Sequence, residues 1–207
     1  MPEFPGLRSE HLQDARLFAD RLDLITSLMR VPAPTVAELG VAFGDFSAPL
    51  LEKLNPRLFV AIDIFRLDEL AEVWGRSTSA IFQGSSHLEY FKRQFATRGD
   101  QVVVEQGTSW EVLERYPDRF FDLIYVDAGH DYESVRRDTL VATMKLRDDG
   151  LLVYNDYVMF DHLQQGEPYG IIPNVNALVV EHDWRVVGFA LQRDMFCDIA
   201  LRRAGQP

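Results

Sequence analysis

Apolar residues recur at Leu12, Ala15, Phe18 or Ala19, Leu22, Ile25 and Met29, with Asp, Arg and Gln between them. That spacing predicts one amphipathic helix with Ser9 as its cap, ended by Pro32 and Pro34. Beyond residue 34 the pattern changes. Short apolar runs at 35–38, 58–63, 101–105, 121–127, 151–155, 184–190 and 195–201 predict strands, several of them continuous rather than alternating, as in parallel strands covered on both faces. Helical spacing falls between them at 45–54, 87–97, 110–116, 132–145 and 171–182, where Thr108-Ser109-Trp110-Glu111 has capping-box form and Asp131 caps another start. The alternation predicts a Rossmann-like, doubly wound α/β sheet of seven mostly parallel strands with helices on both faces. The last two strands lack a helix between them, so an antiparallel hairpin through Gln192-Arg193-Asp194 is expected.

The 207 residues fit one domain, an N-terminal helical segment (1–34) followed by the core (35–207), large enough to bury about 70% of its unfolded surface. A composition 47% hydrophobic and 26% charged is that of a soluble globular chain. The start Met1-Pro2-Glu3-Phe4-Pro5-Gly6 lacks the basic and apolar regions of a signal peptide, so a cytoplasmic location is expected. Cys197, the single cysteine, excludes an internal disulfide and a cysteine-based zinc cluster, and its strand-like setting reads as core filling. A formal net charge of -11 opposes association with nucleic acid or anionic lipid. Homodimerisation through the N-terminal helix is a further expectation. The connections 65–86 and 157–170 are long and follow strand C-termini, where α/β sheets hold ligands. They can cover a substrate, or simply pack Trp74, Phe82 and Tyr169 for stability.

The candidate chemistry begins at Glu38-Leu39-Gly40-Val41-Ala42-Phe43-Gly44-Asp45-Phe46-Ser47, which follows one apolar run, while the next run ends in Asp63. Glycines let a strand-to-helix turn approach a ligand closely, and an acid at the tip of the next strand is placed to accept hydrogen bonds from ribose hydroxyls. A dinucleotide-binding GxGxxG turn requires Gly where Ala42 stands and offers a helix N-terminus to pyrophosphate. Here Glu38 precedes the turn and Asp45 follows Gly44, and carboxylates repel phosphate. They suit a nucleoside that carries an ammonium and a sulfonium, which describes S-adenosylmethionine.

With ELGVAFGDFS and VAIDIF, three further segments complete a series: GTSWE after the third strand, YVDAGHDYESV after the fourth and LLVYNDY at the fifth. Over most of residues 35–201 the chain resembles the class I S-adenosylmethionine-dependent methyltransferases, and within them bacterial small-molecule O-methyltransferases of the sugar and macrolide type. The resemblance implies that Glu38, Gly40 and Gly44 contact the methionine part of the cofactor, Asp63 the ribose, and Ser109 with Trp110 the adenine. Phe43, Ile64 and Thr108 belong to the same cofactor set, and Asp127 lies beside the sulfonium. Each residue also has a plain structural reading: the glycines as tight-turn formers, Asp63 as a strand-end cap, Trp110 as a core aromatic.

Methyl transfer to a hydroxyl is an in-line displacement in which the acceptor must lose a proton. A divalent cation such as Mg2+ eases that loss, and Asp127, Asn155 and Asp156 offer hard oxygen donors for one. In metal-dependent relatives such as catechol O-methyltransferase, a lysine three residues after the metal-binding Asp serves as base. His130 stands there in this chain, so Asp127 and His130 are the expected catalytic pair, with metal-free catalysis by His130 as the competing reading. His162, in the connection after Asp156, is also in reach of an acceptor. No HExxH or G-x-S-x-G motif points to a zinc or serine hydrolase. Absence of the amine-methylating Asn/Asp-Pro-Pro-Tyr motif favours an oxygen acceptor. A nicotinamide-dependent oxidoreductase and a non-catalytic binding protein remain as alternatives.

Overall fold

Strand residues alternate between two faces, and each face has its own set of helices. In the computed structural model, which describes residues 3–161, 166 and 168–205, the strands are β1 (Arg16–Phe18), β2 (Thr35–Leu39), β3 (Leu58–Asp63), β4 (Glu72–Val73), β5 (Arg76–Ser77), β6 (Val102–Gln106), β7 (Phe121–Val126), β8 (Leu146–Tyr154), β9 (Trp184–Ala190) and β10 (Asp198–Arg203). The helices are α1 (Arg21–Leu28), α2 (Ser47–Leu54), α3 (Thr78–Phe82), α4 (His87–Phe95), α5 (Ser109–Glu114), α6 (Tyr132–Lys145) and α7 (Ile171–Glu181). Val36, Phe59, Ala61, Leu123 and Tyr125 pack with α1, α2 and α4, whereas Ala37, Leu39, Val60, Ile62 and Ile124 pack with α5, α6 and α7. Both sets are buried, which is why these strands read as unbroken apolar runs.

The main sheet has the order β1-β9-β10-β8-β7-β2-β3-β6, and β10 alone runs antiparallel to its neighbours. All seven expected strands are in it, together with an eighth. The single N-terminal helix does not form. Ser9–Leu12 is a 3-10 turn, Arg16–Phe18 pairs in parallel with β9, and α1 begins only at Arg21, where the Asp20 side chain accepts the Asp23 N–H at 2.9 Å. Gly188 makes room for this edge, since a Cβ there would lie 2.7 Å from Leu28 Cδ1 and 3.2 Å from Phe18 Cε2.

Two boundaries also differ from expectation. β8 starts five residues early, at Leu146, through a pairing with β7 that is irregular between Phe121 and Leu123. β10 starts late, at Asp198, because Gln192 and Met195 adopt left-handed backbone (φ 56° and 60°) and spend 191–197 on a wider turn. Cys197 is buried there, as a core filler should be. His162 lies outside the described residues.

Candidate active site

At the C-terminal ends of β2, β3, β7 and β8 the helices diverge and leave a cleft of about 920 Å³, ample for a nucleoside-sized ligand. The β2–α2 turn forms one wall, and side chains from elsewhere bind its backbone. Gly40 and Gly44 have φ of 82° and 79°, and Ala42 is forced to 43°, a left-handed conformation that an L-residue holds only when its surroundings compensate. Asp63 Oδ2 accepts the N–H groups of Val41 (2.9 Å) and Ala42 (3.1 Å), while its Oδ1 accepts that of Phe65 (2.8 Å). Buried His87 places Nε2 2.6 Å from the Ala42 carbonyl, and Gln94 donates to the Phe43 carbonyl at 2.9 Å. The turn is therefore held rigid before any ligand arrives.

Gly40 is needed for a close approach: a Cβ would stand 2.0 Å from the Asp127 carbonyl oxygen. Gly44 is different. It does not line the cleft, and its missing Cβ leaves space for Phe91 and Phe95. The other residues expected at the cofactor, Glu38, Phe43, Asp63, Ile64, Thr108, Ser109, Trp110 and Asp127, all line the cleft, as do His130, Asn155 and Asp156. Thr108 and Glu111 join through their side chains at 2.5 Å at the start of α5, and Arg137 lies 5.3 Å over the Trp110 ring.

The floor is a buried polar network. Glu38, 1% exposed, accepts the Ser47 hydroxyl at 2.5 Å, and burial raises its carboxyl to about 8. Arg21 from α1 stacks 4.0 Å over Phe46, donates to the Tyr125 hydroxyl at 2.8 Å and lies 3.5 Å from Asp127. Tyr125, Asn155 and Gln192 donate to Asp198 at 2.8, 3.1 and 2.7 Å. Burial, with Asp156, Asp198 and Glu38 nearby, holds Asp127 well above the usual carboxylate range although Arg21 opposes the shift. Arg21, Tyr125, Gln192 and Asp198 had no signal in the sequence, because three distant segments bring them together.

His130 stacks on Tyr169 with ring centres 4.6 Å apart and planes 10° from parallel. Among the described residues its Nε2 has no hydrogen-bond partner, and it lies 3.8 Å from Asp127 Oδ1 and 3.5 Å from Asp156 Oδ2. Burial lowers its pKa, against the pull of Asp161 and Asp131, so the ring is neutral near pH 7. Asp156 reaches its place through a left-handed backbone (φ 56°).

A family model described as a methyltransferase domain matches residues 37–157, more than half of the chain. The chain belongs to this methyltransferase family. No curated protein matches it. Among solved structures, TomG, an O-methyltransferase of Streptomyces achromogenes involved in tomaymycin synthesis and solved with SAM, is 18% identical with a TM-score of 0.61, over 89% of this chain and 79% of its own. The ribosomal protein L11 methylase of Lactobacillus delbrueckii subsp. bulgaricus is 17% identical, with a TM-score of 0.55 over 88% and 76%. The tRNA methyltransferase TrmK of B. subtilis is 13% identical, with a TM-score of 0.59 over 91% and 67%. Identities this low establish a shared fold, and the three proteins act on different acceptors.

The methyltransferase cleft brings Asp127, Asn155 and Asp156 together in its lining. Asp127 faces the Arg21 guanidinium, the Asn155 amide nitrogen donates to Asp198, and His130 Nε2 lies near both carboxylates. Among the described residues no group of three or more His, Cys, Asp and Glu side chains is arranged to hold a metal ion.

Proposed function

We propose that this methyltransferase moves the methyl group of S-adenosylmethionine to a hydroxyl oxygen of a small molecule, with His130 as general base. The observation that carries the reading is a neutral imidazole inside the cleft, flanked by Asp127 and Asp156, whose Nε2 has no hydrogen-bond partner among the described residues. Besides Glu38 and Asp127, whose carboxyls burial raises, the described lining carries five aspartates against two arginines, which suits a cationic methyl donor and disfavours a phosphorylated coenzyme such as NAD.

Bound S-adenosylmethionine supplies a methyl carbon activated by a sulfonium. His130 Nε2 takes the acceptor's hydroxyl proton as the oxygen forms its bond to that carbon, and the C–S bond pair returns to sulfur, leaving S-adenosylhomocysteine. The resulting imidazolium is stabilised by the Asp156 carboxylate 3.5 Å away. Asp63 is suited to the ribose hydroxyls, Trp110 and Ser109 to the adenine, and Glu38 with the Gly40 turn to the methionine end. A net charge of -11 supports a small-molecule acceptor over nucleic acid. No helix among the described residues is long and apolar enough to cross a membrane, which is consistent with a cytoplasmic site of action.

Calorimetric titration with S-adenosylhomocysteine is expected to give saturable binding that Asp63→Ala abolishes; NADH binding in its place would overturn the reading. Turnover is expected to survive excess chelator. Loss of turnover in chelator with recovery on magnesium would restore the metal-assisted reading.

A further inference from the structure

The connection 65–86 carries a two-strand hairpin, β4 and β5, that the chemistry above does not use. Its base is fixed: the Thr78 N–H donates to the Ala71 carbonyl at 3.2 Å, and the Thr78 hydroxyl bonds the Leu70 carbonyl. Its tip, Trp74-Gly75, has φ of 48° and 73°, the geometry of a primed turn that favours Asn or Gly in the first position. A tryptophan there is strained, and at 63% exposure it gains little from burial. Fold stability therefore does not account for it. Its indole lines the cleft and meets the ring of Phe43 edge-on, with centres 5.7 Å apart at 83°. Arg76, two residues on, lies 4.7 Å over the same Phe43 ring and binds Asp45 at 3.0 Å, which ties the hairpin to the glycine turn. Ile64, 51% exposed, adds a second apolar surface on this side of the cleft.

We infer that Trp74 is a cofactor-binding residue, the outer wall that covers the methyl donor against the Phe43 turn once it is bound. The inference rests on the methyl-donor reading above. Flat aromatic surface beside an acidic cleft suits both an adenosine face and a sulfonium cation, and desolvated contacts of that kind are strong. Trp74 acts on binding and not on the proton, so its effect falls on affinity.

The test is calorimetric titration of S-adenosylhomocysteine into wild type, Trp74→Ala and Trp74→Phe, with acrylamide quenching of tryptophan emission alongside. Trp74→Ala is expected to weaken binding about tenfold and to raise KM for the donor with kcat within about twofold, while Trp74→Phe recovers most of the affinity. The acrylamide-accessible emission that Trp74→Phe removes is expected to be shielded in wild type when ligand binds, a signal that a merely structural tryptophan would not give. Wild-type binding with Trp74→Ala within twofold of it, or with Trp74 still open to acrylamide, overturns this inference alone. A wild type that binds no S-adenosylhomocysteine removes the methyl-donor reading and this inference with it.

Discussion

Replacing Gly40 with alanine tests whether the glycine turn and the end of β7 are built to touch. The added Cβ would lie 2.0 Å from the Asp127 carbonyl oxygen, 2.6 Å from its carbon and 2.8 Å from Ala128 Cα. These are backbone atoms, so no side chain can swing away. An ordinary contact begins near 3.4 Å, so the two strand ends must part by about 1.4 Å. The left-handed φ of 82° adds about 1 kcal/mol for any L-residue, and overpacking of this kind costs about 1–3 kcal/mol. Together they predict a loss of about 3 kcal/mol, or about 6–12 °C in Tm for a chain of this size. Gly84 is the control: its φ is 84° but nothing lies within 4 Å of the added atom, so Gly84→Ala should show the backbone term only. Thermal unfolding of both variants separates clash from conformation. S-adenosylhomocysteine binding should fall tenfold or more for Gly40→Ala, because Asp127 moves with the strand end, and stay unchanged for Gly84→Ala. Equal melting temperatures for the two variants, within about 2 °C, would refute the packing argument.

Three further outcomes are expected. Asp138 on α6 is fully buried, and burial lifts its carboxyl to about 7 although a hydrogen bond from Ser109 opposes the shift. The folded protein then keeps a proton that the unfolded chain has already lost, so stability is complete below the usual carboxylate range and falls as pH rises through about 7. Asp138→Asn should gain about 2–4 kcal/mol over wild type between pH 4 and pH 8 in urea titrations, and an unchanged difference across that window would contradict it. His130→Gln should lower kcat by about 10²–10⁴-fold with donor binding intact, and because burial depresses the wild-type imidazole, kcat should persist below the ordinary histidine range; a profile falling already above pH 7 would sink the assignment. Ala42→Gly should relieve a strained φ of 43° and stabilise by up to about 1 kcal/mol in thermal unfolding, with a loss of stability as the contrary result.

The core was legible because its signals are local. Phe59 to Ile62 is apolar on both sides of the strand, Asp131 caps α6 by accepting from Glu133 and Ser134, and each strand-end acid follows its run directly. The N-terminus misled for the opposite reason. Leu12 to Met29 has helical spacing, but Arg16–Phe18 is a strand only because β9 supplies a pairing edge some 170 residues away. Placing Arg21 in the cleft depends on that pairing, so no reading of residues near Asp127 could have found it. Asn155 shows the same limit, since the sequence gives the amide but not the Asp198 that claims its nitrogen. Gly44 fits the motif, yet two phenylalanines of α4 explain it better than a ligand does.

The pairing of Arg16 with Gly188 also ties the rim of the sheet to the cleft. Helix α1 follows that edge strand, packs on β9 and carries Arg21 to within 3.5 Å of Asp127, so a disturbance at the rim of the sheet reaches the cleft floor through one helix. An edge strand whose own residues do not line the cleft thereby helps to set its charge.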